Sequence, residues 1–282
     1  MTFTLGFSPC PNDTFIFDAL VNKKINTSDF HFNVRLEDVE TLNNLSKEKA
    51  LDFTKISYGV LPLIVKDYKV MNSGSALGKG VGPLLISQKP VEFNEVDKYT
   101  IAIPGENTTA HLLFSLAFPN AKNKVFKRYD EIEKSVLESQ NVLGVIIHEN
   151  RFTYMEKGLY KIVDLGNFWE EKTLLPIPLG GIVGRRNMDE KILMKVDALI
   201  KESMEYAFEN YPLITDYVKQ HSQEMEPEVM KKHIDLYVNN YSINLGKEGR
   251  NAIQKFMNVY RDTRQTLNQR AFSNEEIFVT EE

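Results

Sequence analysis

The sequence predicts an α/β protein of two interleaved lobes with a ligand cleft between them. Its 282 residues exceed what one compact core usually covers, since a domain averages roughly 150 residues. Short apolar segments alternate with helix-like segments, a pattern typical of parallel sheets. No low-complexity linker separates two halves, so we expect the lobes to share the chain rather than follow one another.

The first strand-to-helix units lie near the amino terminus. Residues 3–7 form an apolar run, and the proline at Pro11 marks the start of the following helix. Apolar and polar residues alternate along 30–36, which predicts a half-buried strand with His31 toward solvent. Residues 52–57 read as a third strand that again leads into a helix start. Repetition of this unit favours parallel pairing.

A second series of strand-to-helix units follows the glycine-rich segment 74–83. From Met188 onward the pattern is helical, with prolines at helix starts. We therefore expect the chain to cross to the second lobe near 88–100 and to return near 176–186.

These crossings predict a discontinuous first lobe, residues 1–95 and 187–282, and a second lobe of residues 96–186. Two crossovers side by side would form a hinge, and ligands of such proteins commonly bind at the domain interface.

The composition argues against a nucleic-acid-binding protein and against a membrane-spanning one. The 34 basic and 39 acidic residues are interspersed, so no basic block predicts a nucleic-acid partner. No apolar run approaches the 18 or so residues of a membrane span, and Ser8 and Pro9 interrupt the first apolar stretch before it resembles a signal peptide. We therefore expect a cytoplasmic protein. Its oligomeric state stays open.

No metal or cofactor is expected from sequence motifs. Cys10 is the single cysteine, and the five histidines form no HExxH pair. The glycine-rich segment 74–83 has neither phosphate-loop spacing nor G-x-G-x-x-G order. Lys79 in this segment could contact an anion or simply lie in a solvated turn.

Candidate binding turns follow the predicted strands, because ligands of parallel sheets bind where the strands' carboxyl ends meet. Four turns qualify: 8–13, 56–59, 104–111 and 148–152. In the third, Asn107, Thr108 or Thr109 can cap the next helix, whose free N–H groups suit a carboxylate. Ser57, in the second turn, offers a hydroxyl for the same role. Ordinary capping is the alternative in both turns.

His148 is the candidate general base. It directly follows the apolar strand LGVII and should project toward the cleft. A strand-end histidine bonded to a neighbouring loop is the alternative. The other four histidines are expected in a solvent-facing strand, inside a helix or in the polar carboxyl-terminal region: His31, His111, His221 and His233.

Three further side chains have two readings each. Glu149 could act as an acid or orienting group, or it could be a helix-start carboxylate. Cys10, between two prolines, could be a nucleophile, but a small buried residue is the commoner use of a lone cysteine. Trp169 could cover an aromatic ligand or belong to the core.

Several long motifs, in order, resemble one enzyme family. They are SPCPNDTFIFDAL, DVETLN, KISYGV, ALGKGVGPLL, IPGENTTAHLL, GVIIHENRFTY, LPIPLGGI and YVNNYSINLG. The chain resembles the 1,4-dihydroxy-6-naphthoate synthases of the futalosine route to menaquinone. The resemblance implies a periplasmic-binding-protein-like (type II) fold with two interleaved lobes and a central cleft.

The resemblance also implies a site and a reaction. His148 matches the family's proton acceptor, and the substrate contacts match Lys55, Ile56, Ser57, Thr109 and Ala110. The implied reaction cleaves cyclic dehypoxanthine futalosine, a small anionic substrate, into the dihydroxynaphthoate and dihydroxyacetone without a cofactor. Chorismate dehydratase, on the same fold, and a non-catalytic cytoplasmic solute-binding module are the alternatives.

Overall fold

The computed structural model describes residues 1–222, 226–263 and 273–279. Its strands, in chain order, are β1 (Thr2–Phe7), β2 (His31–Leu36), β3 (Phe53–Ser57), β4 (Tyr68–Val70), β5 (Ala76–Gly78), β6 (Leu84–Ser87), β7 (Thr100–Ile103), β8 (Lys124–Phe126), β9 (Val142–Ile146), β10 (Tyr160–Asp164) and β11 (Ile177–Arg185).

Thirteen α-helices are present in the described residues. They are α1 (Pro11–Val21), α2 (Val39–Lys47), α3 (Leu61–Ile64), α4 (Thr109–Ala117), α5 (Ile132–Glu138), α6 (Asn150–Thr153), α7 (Leu165–Thr173), α8 (Glu190–Asn210), α9 (Asp216–His221), α10 (Pro227–Tyr237), α11 (Asn240–Ile243), α12 (Gly246–Thr263) and α13 (Asn274–Ile277). Short 3₁₀ helices span Phe93–Lys98 and Tyr129–Glu131. No helix in this part of the chain is long and apolar enough to cross a membrane.

The strands form two sheets, one in each lobe. The first has the order β2-β1-β3-β11-β4, with β5 also paired to β11, and the second has the order β10-β6-β9-β7-β8. The predicted parallel pairing holds where strand-to-helix units repeat: β1 with β2 and β3, and β7 with β8 and β9. Strands β6 and β11 instead pair antiparallel with their neighbours, which the repeat pattern did not predict.

The change of sheet falls earlier than the predicted lobe boundaries at 95/96 and 186/187. Strand β6 already belongs to the second sheet, so the first crossover lies between Gly78 and Leu84. Strand β11 belongs to the first sheet, so the return lies between Asp164 and Ile177. An apolar run such as residues 84–87 fits the interior of either sheet, and the sequence pattern therefore could not assign it.

The helices begin at the signals that their sequences carry. Pro11 opens α1, where a missing N–H costs nothing, and the Thr108 hydroxyl accepts from the N–H of His111 at the start of α4. After the return crossover, α8, α9 and α10 pack against α1, and α12 packs against β11. The carboxyl-terminal helices therefore pack onto the elements of the first sheet.

Candidate functional site

A cleft of about 680 Å³, partly open to solvent, lies between the two lobes. Turns from both sheets line it, at the carboxyl ends of β1, β3, β7 and β9. All six residues singled out from the sequence are among its lining residues: Lys55, Ile56, Ser57, Thr109, Ala110 and His148. The structure therefore brings the predicted site residues together, although they come from three separate segments.

The turn after β3, which carries Ser57, contacts the start of α4, which carries Thr109, at one end of the cleft. The N–H of Thr109 donates to Ser57 Oγ at 2.8 Å, and the Thr109 hydroxyl donates to the carbonyl of Leu179 at 3.0 Å. Gly59 makes this approach possible, since a Cβ there would lie 2.3 Å from the carbonyl carbon of Thr108. Ala110, in the first turn of α4, has an N–H without a partner inside its helix. This end can accept a carboxylate or another polar group.

Lys55 and Asp13 form a buried ion pair in the wall of the cleft. Their Nζ and Oδ1 atoms are 2.9 Å apart, and both side chains are almost fully buried. Lys55 also donates to the carbonyl of Gly74, while Ser8 donates to Asp13 through its hydroxyl at 2.8 Å. The positive charge of Lys55 is therefore already balanced. Asp13 lies in the predicted binding turn 8–13 and in the first turn of α1.

His148 also lines the cleft and follows the end of β9. Its φ of 56° is in the left-handed region, which is uncommon for a non-glycine residue. Its half-buried ring lies edge-on to Tyr129 and nearly parallel to His233. Removal from water lowers the pKa of His148 to about 4, although the Glu149 carboxylate opposes this shift. The imidazole is therefore neutral near physiological pH and can accept a proton.

His233 was wrongly placed away from the cleft by the sequence argument. It is fully buried, and its ring centroid lies 6.0 Å from that of His148. Its Nδ1 lies 3.3 Å from Glu149 Oε2, and its Nε2 lies 2.9 Å from Asn12 Oδ1. The helix α10 that carries it is polar on average, but this face packs against α1. The other expectations hold, since His31 is exposed and His111 lies in the first turn of α4.

Glu149 is a buried partner of His233 rather than a helix cap. Its side chain makes no capping hydrogen bond at the start of α6. Burial alone would raise its pKa, but the neighbouring imidazoles of His233 and His148 outweigh burial and lower it to about 2. A carboxylate is therefore held beside the candidate base.

Cys10 belongs to the interior of the same cluster. Burial raises the pKa of its thiol well above the ordinary value, with the Glu149 carboxylate acting in the same direction. The structure therefore favours the small buried residue over the nucleophile. Cys10, His148 and Glu149 bring potential donor atoms within 4.8 Å of one another.

Lys79 and Trp169 are both outside the cleft lining. Lys79 is exposed in its turn. Trp169 is buried in α7, where its ring contacts Phe256 of α12 and its indole N–H donates to the carbonyl of Pro176 at 3.2 Å. The core reading of Trp169 is therefore correct.

The fold and the cleft define a class of proteins, the two-lobed proteins of the periplasmic-binding-protein type. The structure is similar to the alkanesulfonate-binding protein of Xanthomonas axonopodis pv. citri, with a TM-score of 0.74 at 9% identity over 98% of each chain. It is more similar to a crystal structure of an Archaeoglobus fulgidus protein, with a TM-score of 0.88 at 28% identity over 94% of this chain and 98% of the other. The predicted type II fold is confirmed.

Within that class, the chain belongs to the menaquinone biosynthesis family, whose sequence model matches residues 3–262. A Thermus thermophilus protein named 1,4-dihydroxy-6-naphtoate synthase is 42% identical over 251 residues, which cover 89% of this chain and 91% of the relative. A Streptomyces coelicolor protein of the same name is 37% identical over 258 residues, 90% of each chain. These findings confirm the resemblance that the motifs indicated.

Proposed function

We propose that this chain is a carbon–carbon lyase that converts cyclic dehypoxanthine futalosine into 1,4-dihydroxy-6-naphthoate and dihydroxyacetone. The observation that carries the proposal is the placement of His148 in the same cleft as the polar turns of Ser57 and Thr109. Both curated relatives bear the name of this synthase rather than that of the dehydratase. The enzyme acts on a small anionic molecule in the cytoplasm.

The chemical role of His148 is to remove a proton from the substrate. Its neutral imidazole can accept that proton, and the adjacent Glu149 carboxylate stabilises the imidazolium that results. A retro-aldol-type cleavage of the carbon–carbon bond follows, and formation of the aromatic naphthoate makes the step favourable. This chain supplies a base and a partly dry cleft for that sequence.

The binding role falls to Lys55, Ile56, Ser57, Thr109 and Ala110. A substrate carboxylate would accept from the Ser57 hydroxyl and the first-turn N–H groups of α4, replacing the contact between Ser57 and Thr109. Ile56 is fully buried and would contribute apolar contact, while Lys55 would act from within its pair with Asp13.

The test is turnover of cyclic dehypoxanthine futalosine, followed through the absorbance of the naphthoate product. We expect His148→Ala to bind the substrate and lose turnover, while His31→Ala, at an exposed histidine, keeps the wild-type rate. Full activity of His148→Ala would refute its role as the base. Tight binding by the wild-type protein without product would favour a solute-binding module, and turnover of chorismate instead would favour the dehydratase.

A further inference from the structure

The buried cluster behind His148 contains a second histidine, His233, with one ring nitrogen in a hydrogen bond and the other in ion-pair contact with a carboxylate. Asp13 accepts from Ser8, Lys55 and the side-chain amide of Asn12, the last at 2.8 Å. Because a carboxylate only accepts, the NH₂ group of Asn12 must face Asp13. The carbonyl oxygen of Asn12 therefore faces the other way.

That carbonyl oxygen lies 2.9 Å from His233 Nε2. A carbonyl can only accept, so Nε2 carries a proton. The other ring nitrogen, Nδ1, lies 3.3 Å from Glu149 Oε2, and neither side chain is more than 4% exposed. A bare Nδ1 lone pair would repel a carboxylate at this distance, whereas an N–H there attracts it. Both ring nitrogens of His233 therefore face acceptors.

His148 lies above the His233 ring. The two imidazoles are nearly parallel, at 10° between their planes, and Tyr129 contacts His148 at 5.0 Å between ring centroids. A positive charge below the ring disfavours a second positive charge on it. The remaining titratable groups around the two histidines are Cys10, Asp13, Lys55, Tyr129, Glu149 and Tyr237. Of the ionised ones, Asp13 and Lys55 pair with each other, and the Glu149 carboxylate lies beside His233.

We propose that His233 is an imidazolium that acts as a positioning residue: it keeps Glu149 ionised and holds the stacked His148 in its neutral, proton-accepting form. The low pKa of Glu149, about 2, agrees with a cation at this distance. The role of His233 in turnover rests on the proposed function, but its charge state does not.

The first measurement is made on the wild-type protein. The ¹⁵N chemical shifts of the His233 imidazole, read by long-range ¹H–¹⁵N NMR near neutral pH, report whether each ring nitrogen carries a proton. We expect both nitrogens of His233 to be protonated and His148 to show a neutral tautomer. A neutral His233 would overturn the proposal, whether or not the protein cleaves cyclic dehypoxanthine futalosine.

The second measurement is the pH dependence of kcat/KM, which reports groups of the free enzyme. His233→Asn keeps an amide donor near the position of Nδ1 and removes the charge, together with the Nε2 donor to Asn12. We expect the acid limb to move to higher pH, with tenfold less neutral His148 for each pH unit below its new midpoint. His31→Asn, the same substitution at an exposed residue, should leave the profile unchanged.

A double variant separates charge from structure. Glu149→Gln with His233→Asn removes both charges of the pair, so the acid limb should return toward its wild-type position. A lower rate at every pH with an unmoved acid limb in His233→Asn would show a merely structural role and would overturn the proposal.

Discussion

Asp13→Asn tests how much the buried Lys55–Asp13 ion pair contributes to the free energy of unfolding. The substitution preserves the size of the side chain but removes its charge, leaving the Lys55 ammonium without its anion. The asparagine amide must also direct a donor toward one of the former donors, Ser8, Asn12 or Lys55. Both effects act on side chains that are almost fully buried.

The expected cost follows from this geometry. Removing one member of a buried ion pair typically costs about 3 to 5 kcal/mol. Because asparagine keeps one acceptor oxygen, we expect the lower end, about 3 kcal/mol of unfolding free energy. For a chain of this length that corresponds to a fall in Tm of about 6 °C.

The assay is urea unfolding together with calorimetry of both proteins. Asp216→Asn is the control, since its pair with Lys219 is exposed and 3.7 Å long and should change stability by less than about 0.5 kcal/mol. An Asp13→Asn protein as stable as this control would refute the argument that the charge of Lys55 depends on Asp13.

Two further predictions concern Glu149 and Gly59. The pKa of Glu149 is lower in the folded protein, about 2 against 4.5, so its carboxylate stabilises the fold above about pH 4.5 and this contribution is lost as the pH falls toward 2. We expect the stability difference between wild type and Glu149→Gln to shrink with acidification, by up to about 3 kcal/mol; a pH-independent difference in urea midpoints would contradict this. Gly59→Ala should push the turn after β3 away from α4, raising KM more than it lowers kcat and costing about 1 to 3 kcal/mol. Gly249→Ala, which meets only side-chain atoms, is its control, and an unchanged KM in Gly59→Ala would argue against the close approach.

The turns that form the site could be predicted because their signals are local. Proline, glycine and capping residues stop each strand and start each helix, and parallel strands place such turns at one edge. The direction of β11 and the sheet membership of β6 could not be predicted, because both depend on which distant strands they meet. The spacing of apolar residues indicates the structure of one segment but not which distant segments it pairs with.

His233 was missed for a different reason. Its region is polar on average, but α10 has one buried face formed by Met230, His233, Ile234 and Tyr237. These residues follow the three- and four-residue spacing of a buried helix face. A histidine on such a face must find buried partners, and that signal was available in the sequence. The identity of the partners, Asn12 and Glu149, required the tertiary structure.

Strand β11 has a consequence for the order in which the protein can form during synthesis. The second sheet uses only residues 84–164 and can assemble as soon as that stretch has left the ribosome. The first sheet waits for residues 177–185, because β11 joins β3 to β4 and also pairs with β5. The lobe that begins first along the chain is thus the one that is completed last. Its early strands can pair with β11 only after the whole second sheet has been synthesised.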